Sequence, residues 1–470
     1  MFPSIDRVKP GLQKLIAALG EAYPYASVLA VEDDARSWRV SRAGVSISAS
    51  GVGGGTGFVV RVFDGVGCAE YSFNEFSEER IPDICDTLAR RMAEQNAALE
   101  GFAPLPTPIP ADEPAALKKE TAWKVHPREL GDEAIVGKIT ALRERALAVD
   151  GRVLDATAAV TYRAYRKLFL SPNRDLDQTI MWTNAMVAVM ASRGQEIKMS
   201  YHPFSVLGGA ELLDQMDAGV EETARRALEL LDSQPIPPGE YECVCDPETT
   251  GMIVHEAFGH GVEMDMFVKD RALARSFIGQ YVASPLVTMH DGSAVEESAT
   301  AFFDDEGTLA GDTVVIDRGV LKTGMCDALS AARLGTAPTG NGRRESYERK
   351  AYTRMTNTYF QGGESTREEM IASVKDGFLL ETPSSGMEDP KNWGIQCMVT
   401  TAREIKDGRL TGKLYSPIVL TGYVPDLLKS VSMMGKAVEL SGSGHCGKGY
   451  KEWVKVSDGG PCMKARIRLG

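Results

Sequence analysis

The spacing of apolar positions divides this chain into strands and helices. Phe58–Phe63, the stretches near 157–170 and 179–200, and Tyr241–Cys245 carry strand patterns, the last in strict alternation. Ile81, Ile84, Cys85, Leu88 and Met92 recur at helical spacing and predict a helix over 78–99. A second helix is predicted from an N-cap at Asp132, with Ile135, Val136, Ile139, Leu142 and Ala146 on its apolar face, and a third near 209–232. Asp317-Arg318-Gly319 and Asp407-Gly408 sit between apolar runs and read as hairpin turns. Two proline-rich seams, 103–110 and 234–239, are stiff and extended. They predict three regions: an α/β domain over 1–110, a middle α/β domain over 111–235, and a strand-rich domain over 236–470. The fold class is α+β.

The densest chemistry lies just after the second seam. Asp246-Pro247-Glu248 supplies an N-cap, a proline at the first helical position and an acidic first turn. The helix that follows carries His255-Glu256-Ala257-Phe258-Gly259-His260. The familiar zinc-peptidase arrangement is H-E-x-x-H, one residue shorter. Positions four apart on a regular helix are offset by about 40°, positions five apart by about 140°, so an undistorted helix would keep these imidazoles from one metal. Gly259 and Gly261 flank His260, where the backbone can end the helix or widen into a π turn that restores a shared face. A catalytic zinc keeps three protein ligands and an open position. Glu263 and Asp265 are local candidates for the third. Cys446 is a distant one, bracketed by Gly444 and Gly447, with Lys448 near enough in sequence to favour its thiolate. Glu263 reads better as the carboxylate that orients the His260 ring.

Four separated motifs are similar to the TldD/PmbA family, and to its TldD branch in particular: His255–Asp265, Pro338–Tyr347, Arg354–Tyr359 and Cys446–Lys448. The resemblance spans most of the chain and is strongest from about 240 to 450. It implies a zinc metalloprotease in which His255, His260 and Cys446 bind zinc and Glu256 is the general base. It also implies a dimer, either with itself or with a PmbA/TldE-type subunit. His445 directly before the cysteine and the tail from Gly449 to Trp453 depart from the TldD pattern and mark a divergent subfamily. Asn341, Arg343, Arg344 and Tyr347, in a glycine-rich loop, are expected to contact a peptide substrate beside the zinc cleft. A non-catalytic subunit with a structural zinc is the competing class, and hydrolysis of non-peptide amides would use the same residues. Glu256 argues against a purely structural site, which needs no base between its ligands.

Composition narrows the setting. The net charge of −13 offers no basic surplus for a nucleic-acid backbone. No run approaches a membrane span, and the start lacks a secretory leader pattern, so the cytoplasm is the expected compartment. The eight cysteines are scattered and do not form a disulfide framework. Gly51–Gly57 reads as a glycine-rich turn before a strand, since a phosphate cradle requires a helix there. Cys243 and Cys245 read as packing residues, and His126, His202 and His290 as ordinary core or surface histidines.

Overall fold

The computed structural model describes residues 3–49, 55–101, 108–448 and 451–470. The seam residues 102–107 and the glycines Gly51–Gly54 lie outside the described residues. One eight-stranded sheet carries the N-terminal half. Its path runs Cys68–Phe73, Gly57–Phe63, Tyr25–Ser41, Val153–Leu170, Arg174–Arg193 and Ala115–Glu120, with Gly44–Ser48 and Glu196–Val206 paired off this path. Tyr25–Ser41 pairs with Val153–Leu170 from Val28↔Leu170 to Val40↔Ala158. The boundary expected near 110 therefore does not separate two sheets, because strands from both sides of it alternate in one ladder. Helices Pro3–Gly20 and Ile81–Ala98 cover one part of this sheet, and Asp132–Leu147 and Val220–Leu230 another.

Ile84, Leu88 and Met92 are buried along the second helix and Ile135, Ile139, Leu142 and Ala146 along the third, as their spacing predicts. Asp132 does not cap its helix. Its carboxylate accepts from Trp38 Nε1 at 2.9 Å and pairs with Arg36, so Gly131 takes the N-cap position. The helix predicted near 209–232 is broken at Gly219 into shorter pieces, of which Val220–Leu230 is the longest.

Strands dominate after 236. Asp376–Asp389, Gly239–Cys245, Met463–Leu469, Ile418–Tyr423 and Gly394–Lys406 follow one another in a sheet, and the first also pairs with the last, closing a five-stranded ring. A six-stranded sheet, which includes Met289–Gly292, Asn357–Phe360 and Ser457–Gly460, stands beside it. The two predicted hairpin turns are present: Arg318 and Gly319 have φ 44° and 84°, and Asp407 and Gly408 have φ 47° and 75°, left-handed pairs that match strand twist. The motif helix packs between the ring and the second sheet, in the largest core of the molecule. Among the described residues, no helix is long and apolar enough to cross a membrane.

Candidate metal centre

The motif helix starts as its sequence predicts. Asp246 accepts from Thr249 N at 2.7 Å, Pro247 occupies the first turn, and the α-helical part ends at Met252. From Ile253 to Gly259 the helix is a π-helix, and a 3₁₀ turn follows over His260–Val262. The wider turn brings the His255 and His260 rings to 5.2 Å between centroids, 87° apart in plane. The flanking glycines act through space and not through unusual dihedrals. Gly259 has helical φ −58°. A Cβ on Gly259 would run into Met355 Sδ, and one on Gly261 into Glu388 Oε1.

Cys446 arrives from the strand His445–Lys448, paired with Lys451–Lys455. Its Sγ is 3.2 Å from His260 Nε2. Among the described residues, His255, His260 and Cys446 form the one group able to hold a metal ion, with ligating atoms within 4.8 Å of one another. Glu263 and Asp265, the other candidates for third ligand, are not part of it, and neither is His445 beside the cysteine. Burial opposes the Cys446 thiolate, yet the two imidazoles outweigh it and hold the thiol down to about 5. Burial would likewise depress His255, but the thiolate beside it raises that imidazole to about 9. A thiolate between two imidazoles suits a divalent cation, and the buried His255 Nδ1, without a hydrogen-bond partner among the described residues, adds an orphaned polar atom at the site. Two nitrogens and a thiolate fit a tetrahedral zinc with an open fourth position. Lys448, expected to favour the thiolate, gives its ammonium to Asp265 at 2.6 Å and Glu263 at 3.1 Å.

Glu263 approaches His260 Nδ1 at 3.4 Å through one oxygen and takes Arg354 Nε at 3.1 Å on the other. Arg354, fully buried, also donates Nη2 to Cys446 O at 3.0 Å and Nη1 to Glu452 O. One guanidinium therefore ties the helix carboxylate to the strand of the cysteine. The sequence marks the Arg354–Tyr359 motif without revealing this role. Glu256 Oε2 lies 3.9 Å from His260 Nε2, on the wall of a cavity of about 780 Å³ that also exposes His255, His260 and Cys446. Glu388 and Asp458, unnoticed in the sequence, line the same cavity. Burial raises the Glu388 carboxyl well above the usual range and Asp458 to about 6. Tyr201 and Pro203 bring the N-terminal sheet to the cavity rim.

The loop expected to grip substrate stands outside the metal cavity itself. Asn341, Arg343, Arg344 and Tyr347 do not line the metal cavity. Asn341 is buried and donates to Asp291 Oδ1 at 2.6 Å and Arg354 O at 3.0 Å. Thr356 and Thr358 bond the same Asp291, so these motif residues build a polar core under the site. Arg344 pairs with Glu70 at 2.5 Å, and Tyr347 packs over Gly55 and Gly57. Arg343 borders a separate cavity. His126, His202 and His290 are not part of the cluster: His126 accepts from Arg128 N, His202 packs on Phe204, and His290 meets Asp312. Cys243 and Cys245 are fully buried in the core.

Residues 238–464 match the PmbA/TldA metallopeptidase C-terminal domain. A protein of Methanothermobacter thermautotrophicus named a metalloprotease is 29% identical over 361 residues, 76% of this chain and 74% of that protein. A Saccharolobus solfataricus protein named a zinc metalloprotease TldD homolog is 29% identical over 249 residues, 52% of this chain and 55% of its own length. In fold, the chain is similar to TldE from Thermococcus kodakarensis at a TM-score of 0.73, with 17% identity over 98% of this chain and all of that one. The C-terminal domain, residues 238–464, is thus similar to that of the PmbA/TldA metallopeptidases, and the relatives it matches carry metalloprotease names.

Proposed function

We propose that this chain is a zinc-dependent metallopeptidase that cleaves extended or unfolded peptides, with His255, His260 and Cys446 as metal ligands and Glu256 as general base. The observation that carries this reading is the convergence of two imidazoles and a thiolate within 4.8 Å, with the Glu256 carboxylate beside them on an open cavity wall. Zinc bound there would polarise a peptide carbonyl and make a water acidic enough to attack it. Glu256 accepts the proton of the attacking water and delivers it to the leaving amine. Glu263 holds the His260 ring through Nδ1, and Arg354 and Lys448 keep Glu263 ionised. Burial and hydrogen bonding fix these groups before substrate arrives, which is the condition for an effective metal site.

The competing reading, a structural zinc, would leave no use for a carboxylate on the cavity wall next to the ligands. A dimer, with itself or with a PmbA/TldE-type subunit, would wall the cleft from folded proteins. Digestion of one stable small domain and its unfolded variant, with and without such a partner and with a chelator control, tests the proposal. Cleavage of the unfolded form alone, abolished by chelation, is expected. Equal cleavage of both forms, or chelator-resistant cleavage, contradicts it.

A further inference from the structure

Trp453 lines both the metal cavity and a smaller one of about 50 Å³ set between the N-terminal sheet and the C-terminal domain. Five cationic side chains border this second cavity: Arg163, Lys167, Arg343, Arg344 and Lys455, of which Arg344 is paired with Glu70. Lys167 is neutralised by Asp305 at 2.5 Å and Arg163 by Asp33 at 2.6 Å. Arg343 donates to Met355 O at 2.5 Å and has no ion pair among the described residues. Lys455 is only 6% exposed, stands 4.5 Å over the Trp182 ring, and its Nζ has no hydrogen-bond partner among the described residues. The Glu345 carboxylate on the cavity wall accepts from Glu452 N at 3.1 Å. His445 Nε2 is buried and has no hydrogen-bond partner among the described residues, and His445 faces Lys455 directly across the hairpin.

Buried ammonium groups are paired or neutralised, and burial here drives Lys455 down to about 7. An anion is the partner these groups lack. The cavity is too small for a bulky ligand but has room for an oxyanion head. Its position relative to the metal ligands indicates where that anion comes from. Lys455 is opposite His445, the neighbour of Cys446, so its backbone lies one cross-strand step of about 5 Å and one residue along from that of a metal ligand, and Trp453 joins the two cavities. Extended peptide advances about 3.3 Å per residue and spans that distance in roughly two or three residues.

We propose that Lys455 and Arg343 form a carboxylate pocket that holds an acidic group of the peptide substrate, its C-terminal carboxylate or a Glu or Asp side chain, two or three residues from the scissile bond. This inference rests on the peptidase reading and assigns that cleft a substrate class. The test is binding, so that turnover does not enter. The zinc-loaded Glu256→Gln chain is titrated with three N-terminally labelled hexapeptides: one with a free C-terminal carboxylate, its C-terminal amide, and the amide with an internal glutamate. At least one carboxylate form should bind about tenfold or more tighter than the plain amide, as a charge-assisted hydrogen bond gives. Which form does so identifies the source of the acid. In the same background Lys455→Met, which keeps the stem over Trp182, should erase the preference, Lys455→Arg should retain most of it, and Arg343→Gln should weaken it. Equal binding of all three peptides, or a preference that survives Lys455→Met, overturns the pocket. No binding in any arm overturns the peptide reading together with it.

Discussion

Gly386 faces Glu256 across the cavity wall, and replacing it with alanine tests where the proposed base must sit. A Cβ on Gly386 would lie 2.9 Å from Glu256 Cβ, closer still to Cγ, and 3.1 Å from Cys397 Sγ. Carbon atoms rest comfortably at about 3.5–4.0 Å, so helix and strand must part by roughly 0.6–1 Å. Glu256 Cβ is fixed to the helix backbone and cannot swing clear. Overpacking of this kind costs about 1–3 kcal/mol in stability. Displacing a catalytic group by about 1 Å costs on the order of 10²-fold in rate. Gly386→Ala is therefore expected to fold, to retain zinc, and to lose kcat on an extended fluorogenic peptide by about two orders of magnitude. Gly137→Ala, on a helix with nothing within 4 Å of the new methyl, is the control and should leave kcat unchanged. Zinc content, thermal unfolding and kcat are measured on both. Full activity in Gly386→Ala at full zinc occupancy would refute the placement of the base.

Cys446→Ser should bind zinc far more weakly by elemental analysis; full occupancy would move the third ligand elsewhere. Arg354→Met removes one partner of a buried pair that Lys448 still partly satisfies, so a loss near the low end of the usual 3–5 kcal/mol is expected in denaturant unfolding. It should also weaken zinc binding about 10–100-fold, because it frees Glu263 and the Cys446 strand together. Zinc removal by chelation should lower the unfolding temperature, since a ligand that binds only the folded chain stabilises it by mass action. An unfolding temperature unmoved by chelation contradicts a metal site of this kind.

The centre of the site was legible because its signals are local. The cap at Asp246, Pro247 in the first turn and the five-residue histidine spacing lie within one stretch of chain, and the π-helix follows from them. Arg354, Gly386, Glu388 and Asp458 were not legible, because each reaches the motif helix from more than 90 residues away in sequence and carries no spacing signal. Cys446 is similarly remote: its flanking glycines and Lys448 made it one candidate among several, and the family resemblance singled it out. The loop from Asn341 to Tyr347 has the glycines and arginines of an exposed binding loop, but Asp291 and Glu70 draw its polar groups into buried pairs. Asp132 looked like a cap for the same reason: a local pattern cannot show that Trp38 and Arg36 compete for the carboxylate. The single sheet that spans the boundary near 110 was not legible, because Tyr25–Ser41 finds its partner strand beyond 150, a pairing invisible to composition.

The most direct test of the central claim is the turnover of one extended peptide by the wild-type chain and by Glu256→Gln, both reconstituted to one zinc per chain. The carboxamide keeps the size of the side chain and removes its ability to take a proton. General-base assistance is typically worth about 10²–10⁴-fold, so the variant should be slower by that factor with zinc content and unfolding temperature unchanged. Equal rates in the two zinc-loaded proteins would contradict the account.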